Sequence, residues 1–319
     1  MNILITGGCG FIGSNLATFH LAKGDRVFVV DDLSTGSLTN IRACENHPDF
    51  RFEKANITNW DGLDDAIIWS DRIYHLAAVI GIFRVLAEPV NVIETNIEGS
   101  RRIFRSIARF GTQKRLIFAS SSCVYGDAVE SFEDGELLIR QQHNPLLTYA
   151  ISKLADEVMA LAYYHESQLP VTIIRLFNVI GPRQTGQYGM VVPRFVKQAC
   201  NNEPLTIFGD GTQTRSFCDV RDTIAAIDLL ANQTNTIGEI FNVGADAEIS
   251  INDLADLVRV LADSQSPSTY IPYKEAYGGE FNDTMQRKPN LQKLIQFTNF
   301  KHQWTLKKTI AELINFARN

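Results

Sequence analysis

Asn2-Ile3-Leu4-Ile5-Thr6-Gly7-Gly8-Cys9-Gly10-Phe11-Ile12-Gly13 decides the fold. Its first five residues are mostly apolar and β-forming, which reads as a buried strand. Glycines at 7, 10 and 13 follow, and an apolar helical pattern begins at Phe11. Glycines between a strand and a helix let the backbone approach a pyrophosphate, which the helix N-terminus then stabilises. The same spacing also occurs in ordinary strand-to-helix turns, so the rest of the chain has to support the reading.

Outward from this turn, short β-rich runs alternate with helical patterns. Strands are expected at 2–6, 26–31, 50–54, 72–76, 115–119 and 171–177, and helices at 11–23, 90–110 and 149–168. Such alternation, with nearly continuous apolar strands, predicts an α/β fold: a parallel sheet covered on both faces. After Asn178 Gly and Pro become frequent, with helical stretches at 224–230 and 251–261. The expected division is a dinucleotide-binding domain over 1–178, rejoined by about 213–245. A smaller substrate-binding lobe then takes up most of 179–319, closing over the strand ends where ligands of open α/β sheets bind.

Composition narrows the class. The chain has 319 residues, 45% hydrophobic and 21% charged, with a net charge of −6 and no long run of either sign. That argues against a nucleic-acid surface, which needs a basic patch. It also means that an anionic substrate must be held by local arginines. The five cysteines are scattered without a CxxC pair, which predicts free thiols in a reducing compartment and no metal site. No signal peptide is read at the N-terminus, and no apolar run reaches the roughly 20 residues that span a bilayer. A cytoplasmic protein without membrane association is expected.

A second motif is expected to meet the first. Tyr149 and Lys153, in Tyr149-Ala150-Ile151-Ser152-Lys153, stand at i and i+4 on one helix face. A tyrosine with a pKa of about 10 is a poor base at neutral pH. A neighbouring ammonium and an oxidised nicotinamide would favour its phenolate. Ser121 could hydrogen-bond the substrate oxygen as it becomes a carbonyl. The bland alternative is an amphipathic helix with Tyr and Lys on its polar side.

The remaining cofactor contacts are placed by position. Gly7, Gly10, Phe11, Ile12 and Gly13 form the phosphate turn. Asp31, followed by Asp32 and Ser34, stands at the offset where an acid binds the ribose 2′-hydroxyl. A carboxylate there repels a 2′-phosphate, and no Arg directly follows it, so NAD is expected over NADP. Asn56 and Ile57 would lie by the adenine. Leu76, Ala77 and Ala78 close the fourth strand with small residues that let the cofactor near the backbone. Asn96 is placed in the cofactor site, with a plain polar helix residue as its alternative. His75 reads as structural.

The chain resembles an extended short-chain dehydrogenase/reductase of the NAD-dependent epimerase/dehydratase family over essentially its full length. The resemblance is carried by GGCGFIGS at 7–14, DDLSTG at 31–36, HLAA at 75–78, SSSCVYG at 120–126 and YAISK at 149–153. RLFNVIGPRQ at 175–184, VVPRF at 191–195, IFGDGTQTRSFCDVRD at 207–222 and QRKPN at 286–290 complete it. It implies a Rossmann-type doubly wound sheet, the catalytic group Ser121, Tyr149 and Lys153, and a nucleotide-sugar substrate, with UDP the expected nucleotide. It further implies that Asn178 contacts the diphosphate and that Val192 and Phe195 line the nucleotide pocket. Phe208 would lie against the base, with a core aromatic as the alternative, and Arg215 and Arg287 would neutralise the diphosphate. A homodimer through the two long helices is expected, as the family often forms.

The reaction is read by subtraction. Dehydratases of the family place Asp-Glu just before Val-Tyr-Gly, and UDP-glucuronate decarboxylases place Glu there. Here the positions hold Ser122 and Cys123. A 4-epimerase needs neither carboxylate, so a nucleotide-sugar 4-epimerase is the expectation. The alternatives are a UDP-glucuronate decarboxylase, whose segments TIFGDGTQTRSF and QRKPN resemble, an NDP-4-keto-sugar reductase, and a non-catalytic nucleotide sensor. Cys123 reads as a small core residue beside the cofactor. The apolar run 79–83 offers no cation for a uronate carboxylate, although Arg84 follows it.

Overall fold

The computed structural model describes residues 1–111, 113–126, 147–186, 189–277 and 284–318. Seven strands form one sheet in the order Ile240–Val243, Val171–Leu176, Arg115–Ser121, Arg72–His75, Asn2–Thr6, Arg26–Asp31, Phe50–Lys54. Every pairing in it is parallel. The strand order reverses between Asn2–Thr6 and Arg72–His75, the crevice where such sheets bind ligands.

Side-chain alternation explains the two covered faces. Ile3 and Ile5 face one core with Val27 and Val29, while Leu4 faces the other with Phe28 and Val30. The first face packs on Phe11–Ala22 and Val220–Ala231, through Leu16, Leu21, Ile224 and Ile227. The second packs on Leu63–Trp69, Pro89–Phe110 and Leu147–Ser167, through Ile67, Ile103, Phe104 and Ala160. Ile3, Leu4, Ile67 and Phe104 are fully buried. Burying a side chain of this size contributes about 1.5–3 kcal/mol, so the sheet makes a stiff floor for the site. Pro89 starts the 22-residue helix that spans the second face, its fixed φ being suited to a first helical turn.

The second half of the chain supplies a smaller lobe. Its core joins helices Val191–Cys200, Ile251–Leu261 and Leu306–Arg318 through Val192, Phe195, Leu254, Val258, Ile310 and Ile314. A three-stranded sheet, Glu248–Ser250, Thr214–Ser216 and Gln286–Arg287, pairs Arg215 with Arg287 in register. Val220–Ala231 and Ile240–Val243 return to the large sheet. Among the described residues no helix is long and apolar enough to cross a membrane.

Candidate active site

The glycine turn is held by contacts that only glycine permits. Gly7 has φ +71°, and a Cβ there would sit 2.7 Å from the backbone nitrogen of Ala77. A Cβ on Gly13 would fall 2.3 Å from the carbonyl oxygen of Gly7. The turn and the end of the fourth strand therefore meet backbone to backbone at the switch point. A cavity of about 660 Å³ opens there and runs into the second lobe.

Gly7, Gly10, Phe11, Ile12 and Gly13 line the near end of this cavity, facing Leu76, Ala77 and Ala78. Asp31, Asp32, Ser34, Asn56 and Ile57 line its flank. The Asp31 carboxylate also has a local task. One oxygen accepts the Leu33 N–H at 2.8 Å and the other the Cys9 N–H at 2.9 Å, which ties the strand end to the turn. Burial raises its pKa, and those backbone donors work against the rise. Asp32 accepts from Ser34 N–H at 2.8 Å and from the Asn56 amide at 3.2 Å. The Asn56 carbonyl oxygen is occupied by the Thr58 N–H and hydroxyl, at 2.9 and 2.7 Å.

Two residues expected in the cavity stand behind its wall. Asn96 is buried and spends its amide on the Val79 backbone, accepting from its N–H at 2.7 Å and donating to its carbonyl at 3.3 Å. It braces the wall next to the nucleotide crevice and does not reach it. Phe195 is fully buried in the lobe core. Positions 192, 195, 196 and 199 form one buried stripe of their helix. Val192 touches the cavity, and so does Arg194. His75 is structural, as expected: its nitrogens meet Thr6 at 2.7 Å and Ser100 at 3.4 Å, and burial lowers its pKa to about 3.

Ser121, Tyr149 and Lys153 all line the middle of the cavity. Ser121 ends the fifth strand and caps the short helix Ser122–Tyr125, accepting the Cys123 N–H at 3.2 Å. Its hydroxyl also hydrogen-bonds the Tyr149 phenol. The phenol does not have the lowered pKa expected from Lys153. Burial raises it, Cys123 adds to the rise, and the bond to Ser121 opposes it. Lys153 is turned to the sheet, donating to the Ala119 carbonyl at 2.9 Å and lying 5.0 Å from the centre of the Phe118 ring. Burial lowers its pKa while the carboxylates of Asp156 and Glu157 oppose that. These surroundings favour the neutral phenol at Tyr149, and a positive charge beside it would act the other way.

Beyond the Ser121–Tyr149 pair the cavity is aromatic and cationic. Phe208 lines the cavity, with the Arg194 guanidinium 4.0 Å from its ring centre and Tyr277 edge-on at 5.4 Å. Asn178 faces the cavity and donates to the Ser216 carbonyl at 3.1 Å. Arg215 and Arg287 both line it. Arg215 donates to the carbonyls of Thr214 and Thr284, at 2.7 and 2.8 Å. Arg287 points one nitrogen at the Cys123 sulfur, 3.5 Å away, and another at the Thr284 hydroxyl at 3.0 Å. Cys123 is not a core residue: it is half-buried and lines the cavity. Arg84 donates to the Ser34 carbonyl at 3.5 Å and is not part of the lining.

A glycine turn at a switch point, an acid at the next strand end and Tyr149 and Lys153 lining the same cavity are the arrangement of a dinucleotide-dependent enzyme. The model of the NAD dependent epimerase/dehydratase family matches residues 3–244. The chain is 35% identical over 322 residues to a UDP-N-acetyl-alpha-D-glucosaminuronate decarboxylase of Bacillus cytotoxicus, covering 99% of this chain and 97% of that one. It is 31% identical to UDP-glucuronic acid decarboxylase 1 of Arabidopsis thaliana, covering 100% of this chain and 70% of the relative. A solved UDP-glucuronic acid 4-epimerase from Bacillus cereus, in complex with UDP-glucuronic acid and NAD, superimposes with a TM-score of 0.88. It is 26% identical and covers 100% of this chain and 99% of that one.

The chain belongs to the NAD-dependent epimerase/dehydratase family. Its cofactor is NAD, and the residues present fit it. Gly7 and Gly13 form a cradle that a single Cβ would fill, and the carboxylates of Asp31 and Asp32 line the flank beside it.

Proposed function

We propose that the chain is a UDP-hexuronate decarboxylase, acting through a C4 ketone. One observation carries the reading: the Arg287 guanidinium stands beside Cys123, two residues from Ser121, and gives the reacting end of the cavity a cation. A uronate carboxylate has its counter-charge there. The whole-length likeness to two uronate decarboxylases supports it. The expectation of a 4-epimerase rests on the carboxylates missing at 122 and 123. Chemistry weakens that argument, because a carboxylate β to a ketone leaves as CO2 once the ketone can hold the electron pair.

NAD, when bound, supplies the hydride acceptor at C4. Tyr149 takes the proton of the C4 hydroxyl, and Ser121 donates to the same oxygen. Both groups then face the oxygen on which negative charge develops as CO2 leaves, a stabilisation made in advance by position. The Asp156 carboxylate, further along the same helix, adds to the burial that favours the neutral Tyr149 phenol. Asn178, Arg215 and Phe208 are assigned to the nucleotide half of the substrate. A homodimer through Pro89–Phe110 and Leu147–Ser167 belongs to the proposal, and Val158, 62% exposed on the second helix, suits it.

The test is a proton NMR time course with UDP-glucuronate and UDP-N-acetylglucosaminuronate. A UDP-pentose or 4-keto pentose is the expected product. The second reading, a UDP-uronate 4-epimerase, is favoured by the thiol at Cys123 and by the likeness to the Bacillus cereus enzyme. It predicts a 4-epimer with its carboxylate retained.

A further inference from the structure

Loss of CO2 leaves a carbanion equivalent at C5 that needs a proton, and the cavity offers few donors. Among the described residues the carboxylates lining it are Asp31 and Asp32, both at the glycine-turn end. Tyr149 holds the proton it has taken from the C4 oxygen. Lys153 is turned away to the Ala119 carbonyl. Among the described residues at the reacting end, Ser122 and Cys123 carry neutral proton donors, and the Cys123 thiol gives up its proton far more readily than an alcohol.

Its placement is not that of a packing residue. The Cys123 N–H is fixed to the Ser121 hydroxyl, so the thiol and the Ser121–Tyr149 pair share one rigid turn. The sulfur faces the Arg287 guanidinium at 3.5 Å, and Arg287 is braced by Thr284 on its other nitrogen. Cys9, Cys44 and Cys218 are buried, and none of the other four cysteines lines the cavity.

We infer that Cys123, backed by Arg287, is the acid that protonates C5 in this enzyme. The inference rests on the decarboxylase reading. In the step, the C5–C6 bond breaks and its electron pair forms the C4–C5 enolate as CO2 departs. The enolate pair then takes the proton from sulfur, making the C5–H bond. The thiolate left behind is matched by the guanidinium and takes a new proton from water in the cavity.

The experiment uses the full-length enzyme with NAD and UDP-hexuronate in D2O. Wild-type protein releases CO2 and places one deuterium at C5 on a single face. Cys123→Ala is expected to form pentose about 100-fold more slowly, in the range of a lost general acid. Its deuterium is expected on both faces of C5, since solvent then delivers it. Cys123→Glu restores the rate to within about tenfold and restores single-face labelling, which a merely structural role for the thiol would not do. Cys123→Ala with wild-type rate and single-face labelling overturns the inference while leaving the decarboxylase reading intact. Wild-type protein that forms no CO2 overturns that reading and the inference with it.

Discussion

Replacing Asp156 with Asn tests how the helix beneath the active site carries charge. Asp156 is fully buried three residues after Lys153, and neither carboxylate oxygen makes a well-formed hydrogen bond. The Lys153 ammonium and the Ser100 hydroxyl offset only part of the burial, which pushes the carboxyl from 3.8 up to about 6. A raised pKa means that folding favours the protonated acid. The ionised form therefore costs stability above pH 6, and the cost fades as pH falls toward 3.8, where the unfolded chain is protonated too. At about 1.4 kcal/mol per tenfold change in proton affinity, the full cost is about 3 kcal/mol. An amide in the same space still lacks partners, so Asp156→Asn should recover about 1–2 kcal/mol at pH 7.5 and almost nothing at pH 4. Urea unfolding of both proteins at the two pH values measures this. Lys153 loses a counter-charge in the variant, so turnover should fall at alkaline pH although the fold is firmer. Equal effects at both pH values, or a loss confined to pH 7.5, would show that an ionised Asp156 does not cost the fold stability.

Three further outcomes follow from the geometry. Gly13→Ala places a methyl 2.3 Å from the Gly7 carbonyl oxygen, so NAD affinity measured by calorimetry should drop at least about tenfold. Tyr149→Phe should lower turnover by about 10³-fold while NAD remains bound in the purified protein, and retained activity would remove Tyr149 as the base. Asn96→Ala leaves the buried Val79 N–H without its acceptor, and should cost about 1–3 kcal/mol in thermal unfolding while changing NAD affinity little.

Much of the fold was legible because its signals are local. The strands at 26–31 and 50–54 and the helix at 251–261 run over the residues read from periodicity alone. The glycine turn was legible because steric exclusion leaves no other residue at Gly7 and Gly13. Ile240–Val243 was harder: four residues, far along the chain, whose place beside Val171–Leu176 is decided by tertiary pairing. Helix Ile82–Ala87 was hidden in a run that looked like an apolar turn.

At the site, the differences have separate causes. Phe195 was assigned by family position, whereas its helical period puts it on the buried stripe and gives the cavity Arg194. Asn96 carried a polar signal whose target, the Val79 backbone, lies 17 residues away. The acidified Tyr149 phenol is expected from a lysine one turn on together with an oxidised nicotinamide, and that lysine is drawn to Ala119. The contact between Cys123 and Arg287 joins residues 164 positions apart, and no local pattern announces it.

The fate of the carboxyl carbon separates decarboxylation from epimerisation. UDP-hexuronate labelled with 13C at C6 is incubated with the purified protein, and the label is traced by carbon NMR. For a decarboxylase the label leaves the sugar as 13CO2 and bicarbonate, with an unlabelled UDP-pentose or 4-keto pentose in its place. Label that stays in a hexuronate with inverted C4 would contradict the decarboxylase reading and make the enzyme a 4-epimerase.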